Sequence, residues 1–248
     1  MASISFNQIQ LRIIILLLTL FLLTVVGYRG FVERPKLAEN IIKFSAREVS
    51  SLNVNLESMI KNLSETNYDY SVWTSTYNFM DKENELYLSE DYIEENFIED
   101  TFISLKMDGI VLFDSNFQSV FKKGFAHKKQ EMLDFTFDNL DKNPLNIQLF
   151  PEPITHKGVP QKTGIIVTTF GPAMISTTQI RRSDKTGQNL GYLSFIRLID
   201  ENIIKKLALF TMTKIEMMPI SSGQISNEIQ HLSSDIIISE IKPYSDLY

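Results

Sequence analysis

MISTTQIRRSDKTGQNLGYLSFIRLI, residues 174–199, decides the fold. Met174 to Arg181 and Leu190 to Ile199 are each of strand length and rich in β-branched and aromatic residues. Between them Ser183-Asp184-Lys185-Thr186-Gly187 supplies turn formers, with Gly where positive φ is easiest. Strands joined this tightly pair antiparallel. Upstream, Gly164 to Thr169 predicts another strand. Ile110-Val111-Leu112-Phe113 breaks out of Asp108-Gly109 as a buried strand and turns at Asp114-Ser115-Asn116 into a shorter one near Ser119-Val120-Phe121. Helices are predicted at Ser89 to Phe102, with Ile93 and Phe97 on one face, at Glu131 to Asp141 and at Glu201 to Phe210. More strand is predicted near Lys214 to Met218 and Ile236 to Ile241. Consecutive strands with helices clustered before and after them make an α+β fold with an antiparallel sheet, not a doubly wound nucleotide fold.

Before this domain lies a different texture. From Ile13 to Val26 every residue is apolar or Thr, and Arg12 and Arg29 bracket the run. Ile9 to Tyr28 is about long enough to cross a ~30 Å hydrocarbon core at ~1.5 Å per residue. A cleaved signal peptide is the rival, but Thr24-Val25-Val26-Gly27-Tyr28 is a poor small-x-small cleavage site, so an uncleaved single span is expected. Residues 1–8 then form a cytoplasmic tail. Arg29, Arg34 and Lys36 lie beyond the span against Arg12 before it, which does not obey the positive-inside rule. A long downstream domain translocates regardless of charge, so the expected place is the inner (cytoplasmic) membrane, with residues 65–248 extracytoplasmic.

Glu33-Arg34-Pro35 starts a stalk helix over residues 33–64, with Pro suited to a first turn. Ile42, Val49, Leu56 and Leu63 recur every seven residues, with Ser45, Leu52 and Met59 between them. Ile42, Val49, Leu52, Leu56, Met59 and Leu63 would form the seam of a parallel homodimer. Equally, the stripe would pack on the chain's own domain, and both can hold along different lengths.

Composition excludes several classes. A chain of 248 residues, 44% apolar, can bury a core, and a net charge of −6 lacks the basic footprint of a nucleic-acid binder. No cysteine means no disulfide, thiolate metal site or cysteine nucleophile. His127, His156 and His231 are too scattered for zinc. The acidic run Glu83 to Asp100 has no calcium-loop Gly and reads as a solvated helical face. There is no G-x-S-x-G, no G-x-G-x-x-G and no P-loop, since Gly158 to Thr163 lacks the ending. No cofactor, metal or catalytic residue is implied.

Asn67-Tyr68-Asp69-Tyr70-Ser71-Val72-Trp73-Thr74-Ser75-Thr76-Tyr77 resembles the signature of the CHASE extracellular sensor domains, type four. Tyr92 to Asn96, Gly109 to Asn116 and Gly191 to Asp200 match later elements, and the resemblance covers residues 37–220. The chain departs from the pattern at Thr74, where the family often has Asp, and at Asn116-Phe117, where a Gly commonly tightens the turn. The resemblance implies a Cache/PAS-like sensor outside the inner membrane, set between two crossings and coupled to a cytoplasmic diguanylate cyclase, phosphodiesterase or histidine kinase. No second run of ~18 apolar residues follows Phe210. The expectation is therefore a receptor fragment or a stand-alone version, with the output absent.

Tyr70, Trp73 and Tyr77 fall at i−3, i and i+4, so on one helix they share a face. They are either packed aromatics of a core or a ligand-pocket wall with Asp69 as polar anchor. Arg181 and Arg197, on or beside strands, would clamp a carboxylate, or else pair with Asp69 or Asp184. The expected function is a ligand- or protein-binding receptor sensor working by population shift. An anchored envelope binding or assembly protein is the alternative, and an anchored hydrolase a distant third.

Overall fold

The computed structural model describes residues 6–133, 149–151, 158–211 and 215. The strand expected at Ile236 to Ile241 lies outside those residues, as do all but Ile215 of the strand expected at Lys214 to Met218 and most of the helix expected at Glu131 to Asp141.

Helix α1 (Phe6–Tyr28) and helix α2 (Arg34–Ser71) are one uninterrupted rod, joined by a π-helical turn at Arg29–Glu33. Pro35 therefore opens no new segment. The Arg34 N–H reaches back to the Arg29 carbonyl, five residues away, and the widened turn gives the Pro35 ring room that an ordinary turn denies it. Around α1 the apolar side chains are exposed on every side, as at Leu16 and Phe21, and the Thr19 and Thr24 hydroxyls bond back to Ile15 and Leu20 carbonyls at 2.8 Å. A helix with no polar side and no protein neighbour suits lipid. It is the one helix among the described residues long and apolar enough to cross a membrane.

Beyond α2 come α3 (Thr74–Met80), α4 (Glu90–Asn96) and α5 (Glu99–Leu105). Six strands follow among the described residues: β1 (Gly109–Asp114), β2 (Ser119–Ala126), β3 (Glu131–Leu133), β4 (Gln161–Thr168), β5 (Gly171–Gln179) and β6 (Gly191–Leu198). Helix α6 (Glu201–Thr211) closes the described chain. The sheet is antiparallel throughout, in the order β3-β2-β1-β6-β5-β4, so the expected α+β fold is present.

Two expectations change. Glu131 to Leu133 is an edge strand against Gly124 to Ala126, not the start of a helix. The acidic helix is shorter and broken: Glu83 to Ser89 is turns, Ser89 caps α4, and Phe97 sits between α4 and α5 with its ring fully buried. Burying that ring against Tyr70 and Phe121 takes precedence over a continuous amphipathic helix.

Strands β1, β5 and β6 are buried on both faces. One face carries Ile110, Leu112, Met174, Leu193 and Phe195 into a core with Leu52, Leu56 and Leu63 of α2. The other carries Val111, Phe113, Ala173, Ile175 and Ile196 against Phe150. So the seam predicted along α2 divides. Leu52, Leu56 and Leu63 are buried within the protomer and Met59 packs against the same core, while Ile42 stays exposed and Val49 half-buried. The helix also runs past residue 64 to Ser71.

What seats α2 on the sheet is polar as well as apolar. Asn67, fully buried, donates from Nδ2 to the Leu193 carbonyl (3.1 Å) and accepts at Oδ1 from Ser176 (3.2 Å) and Thr178 (2.5 Å). Gln161 of β4 donates to the Thr178 hydroxyl and the Ser64 carbonyl, both at 2.8 Å. Three strands are thus tied to two turns of one helix.

Candidate functional site

Helix α2 stops at Ser71 with neither Gly nor Pro to stop it. The cause is tertiary. Val72 makes a parallel bridge to Arg181, just past β5, and the Arg181 N–H donates to the Ser71 carbonyl at 3.0 Å. Trp73 is extended (φ −132°, ψ 131°), and α3 starts afresh at Thr74. Its free N-terminal N–H is met from the β5–β6 loop: Ser183 Oγ accepts from both the Thr74 N–H and hydroxyl (3.1 Å), and the Ser183 N–H donates back to Thr74 Oγ1 (3.2 Å). Thr74, where the resemblance expects Asp, thus serves the cap with a hydroxyl that donates and accepts.

Tyr70, Trp73 and Tyr77 consequently do not share one helix face. Tyr70 and Trp73 meet edge-to-face at 6.1 Å, within a cluster that includes Phe79, Tyr92, Phe97, Phe121 and Phe195. Burial raises the pKa of Tyr70 and of Tyr92, whose hydroxyl bonds Thr76 at 2.6 Å. Trp73 covers this cluster with 37% of its surface still exposed. Tyr77 turns the other way. Its hydroxyl accepts from the Gln188 N–H (3.3 Å), and Arg182 lies over its ring at 4.7 Å. Gly187 (φ +96°) presses so closely on it that a Cβ there would sit 2.7 Å from the ring.

The arginines separate. Arg181 pairs with neither Asp69 nor Asp184; its guanidinium donates to the Gln179 side chain at 3.0 and 2.8 Å and to the Gly187 carbonyl, locking the β5–β6 loop. Arg197 is five positions along β6 from Tyr192, toward the other end of the sheet, near Asp108 and Asp200. Asp69 is exposed on α2. Asp184 stays on its own loop, where hydrogen bonds from Thr186 lower its pKa.

Beside the clamped loop opens a cleft of about 310 Å³. Asp81, Lys82, Glu83 and Tyr87 form one wall, Asp114 and Ser115 of the β1–β2 turn a second, and Gln188, Asn189 and Leu190 the third. Its size is at the low end for small-molecule sites, and its lining is polar. None of the six site residues predicted from sequence lines it. The signal that could have found it is the punctuation of Asp81-Lys82-Glu83-Asn84, which the acidic run concealed. At the β1–β2 turn Phe117 takes φ +64°, within the Asn116-Phe117 pair where the resemblance expects a Gly. A left-handed residue costs roughly 1–2 kcal/mol, and stacking on Tyr192 (5.5 Å) with a tilted contact to Phe150 (4.6 Å) offsets it.

An apolar helix long enough to cross a membrane thus continues as one helix into an α+β domain that carries a polar cleft. The chain belongs to the CHASE4 domain family, whose model matches residues 55–218. That family is sensory rather than catalytic. No curated protein matches the chain in sequence. Among solved structures it is similar to the extracellular domain of a protein assigned as the histidine kinase vpHK1S-Z8, at 12% identity over 68% of this chain and 63% of that one, with a TM-score of 0.47. It is also similar to a domain of a sensory box/GGDEF family protein from Vibrio parahaemolyticus (11%, 68% and 64%, TM-score 0.42). The periplasmic sensory domain of the Campylobacter jejuni chemoreceptor Tlp1 is a third (12%, 67% and 59%, TM-score 0.34). The chain spans about three fifths of the length of each of these structures.

Proposed function

We propose that the chain is the extracytoplasmic sensory part of an inner-membrane signalling receptor, taking a small polar ligand in the cleft and passing the change to the membrane through α2. One observation carries this: the helix gripped by the sheet from Leu52 to Ser71 is the same uninterrupted helix that continues into the apolar span. A ligand bridging Asp81–Tyr87 and Gln188–Leu190 would act on the loop whose Arg181 and Ser183 hold the end of that helix. It moves the equilibrium only by its differential affinity, so a shift of a few kcal/mol needs roughly 10²–10³-fold preference for one state. The cytoplasmic output, a cyclase, phosphodiesterase or histidine kinase by family resemblance, is a further part of the proposal.

The test is thermal unfolding of the full chain in nanodiscs against a panel of free amino acids, amines and dicarboxylates. A compound that raises Tm in the parent chain and no longer does so with Lys82→Ala or Asn189→Ala supports the cleft. A compound whose effect survives both substitutions places its site elsewhere.

Two copies are proposed to meet through the membrane-proximal half of α2, where Ile41, Ile42 and Phe44 are exposed. Ile42→Asp is expected to leave Tm unchanged while abolishing cross-linked dimers in nanodiscs. Leu56→Asp, which puts a charge among buried side chains, is expected to prevent folding. Dimers that persist in Ile42→Asp overturn the pairing.

A further inference from the structure

At the opposite end of the sheet from the cleft, titratable groups gather where β1, β2 and β6 meet the start of α6. Asp108 precedes β1 and its side chain is 14% exposed. Its Oδ2 accepts from the Leu198 N–H at 2.8 Å, and its backbone joins Ile196 (2.8 Å) and Phe125 (2.9 Å). His127, just past β2, places Nε2 3.6 Å from Asp108 Oδ1 and 2.9 Å from the Met107 carbonyl, its ring edge-on to Phe125. Arg197 and Asp200 are the other charged groups that bear on Asp108. Asp200 in turn accepts from the Ile203 N–H at 2.9 Å, capping α6. Helix α6 buries Ile203 and Leu207 in the same core as Leu52 and Leu56 of α2.

We propose that the Asp108–His127 pair is a proton-responsive joint, which alters the seating of α6 against the membrane-linked helix α2 as the surroundings turn mildly acidic. The carboxylate form of Asp108 is the better acceptor for the Leu198 N–H, the last amide before Ile199 and Asp200 lead into α6. Taking up a proton weakens that bond at the point where β6 hands over to the helix. Burial pushes the Asp108 carboxyl up to about 6, against the Leu198 hydrogen bond and the His127 and Arg197 charges that lower it, while Asp200 adds to the rise. Its titration therefore falls in a range that an extracytoplasmic compartment traverses. The joint is independent of what the cleft binds.

The chain has no cysteine, so a spin label can be placed on each helix at positions exposed to solvent, Val54→Cys on α2 and Leu209→Cys on α6. Distances between the labels are measured by pulsed electron paramagnetic resonance on the full chain in nanodiscs, diluted with unlabelled chain, from about pH 7.5 to about pH 5. The expected result is a distance distribution that changes with a midpoint near 6, and that no longer changes in the Asp108→Asn background. Should that background not fold, His127→Gln serves instead. Losing a cation that favours the carboxylate moves the midpoint upward. A distribution that is the same at both pH extremes overturns the proposal. So does an unaltered pH response in Asp108→Asn, or an unmoved midpoint in His127→Gln.

Discussion

Asn67→Ala is expected to lower the unfolding free energy of the full chain by about 3–4 kcal/mol, read as a Tm fall of roughly 6–16 °C in detergent by circular dichroism. The side chain is fully buried and uses both ends, donating to the Leu193 carbonyl and accepting from Ser176 and Thr178. Truncation leaves a carbonyl and two hydroxyls in a dry interface with too few partners, at about 1–3 kcal/mol for each group left unsatisfied. Asn67→Asp is expected to be worse, because a carboxylate would face the Leu193 carbonyl and a charge would be buried without a counter-ion. Combining Asn67→Leu with Ser176→Ala and Thr178→Val removes the orphaned hydroxyls along with their partner and is expected to recover part of the loss. A fall of less than about 0.5 kcal/mol for Asn67→Ala would show that the network stabilises nothing beyond its solvated alternative.

The network also bears on signalling. Leucines on α2 could slide along a sheet of apolar side chains with modest change in contact, whereas a hydrogen bond is lost within the ~1.5 Å rise of one helical residue. Gln161 adds a bond to the Ser64 carbonyl at 2.8 Å, so α2 is held one turn below Asn67 as well. Seating on the sheet is therefore sensitive to shifts of about one residue's rise, as an element biased by a ligand or a proton would have to be.

Much of this was legible in the chain. The long apolar helix, the five strands within residues 109–126 and 161–198, and α6 all follow from period and punctuation, because central strands buried on both faces read as near-continuous apolar runs. The break at Val72-Trp73 was not legible. Neither residue ends a helix by its own chemistry; the bridge to Arg181, more than a hundred positions away, does. The surroundings of the candidate site residues were not legible for the same reason. Arg181 is a fork of donors on any reading of the chain, but its acceptors, the Gln179 side chain and the Gly187 carbonyl of its own loop, are set by the fold. The α2 stripe is apolar by period, yet period alone cannot say whether Leu52 and Leu56 meet a second copy or their own sheet. The cleft is made by three loops remote in sequence, and no local pattern announces such a meeting.

Gly191→Ala is expected to be severely destabilising, though it adds a single methyl group. Gly191 opens β6 at φ +143°, a conformation that side-chain-bearing residues rarely adopt. A Cβ built there would lie 1.9 Å from the Phe113 carbonyl oxygen and 2.9 Å from its carbon, both backbone atoms of the central strand β1. No rotamer relieves a clash with backbone, so β1 and β6 must separate where Asp114 pairs with Gly191. The Gly191 carbonyl also accepts from the Ile180 N–H at 2.9 Å, and its N–H donates to Asn189 Oδ1 at 3.0 Å, so the displacement spreads to β5 and to a wall of the cleft. A cost of more than about 4 kcal/mol is expected, enough to take Tm down by about 8–16 °C or to abolish folded protein. Gly164→Ala is the matched control: it too lies in a strand, its Cβ would meet nothing within 4 Å, and its Tm should stay within a few degrees of the parent. A Gly191→Ala chain that melts with Gly164→Ala would mean that β1 and β6 can part at this end without cost, and the distal wall of the cleft would then be movable rather than fixed.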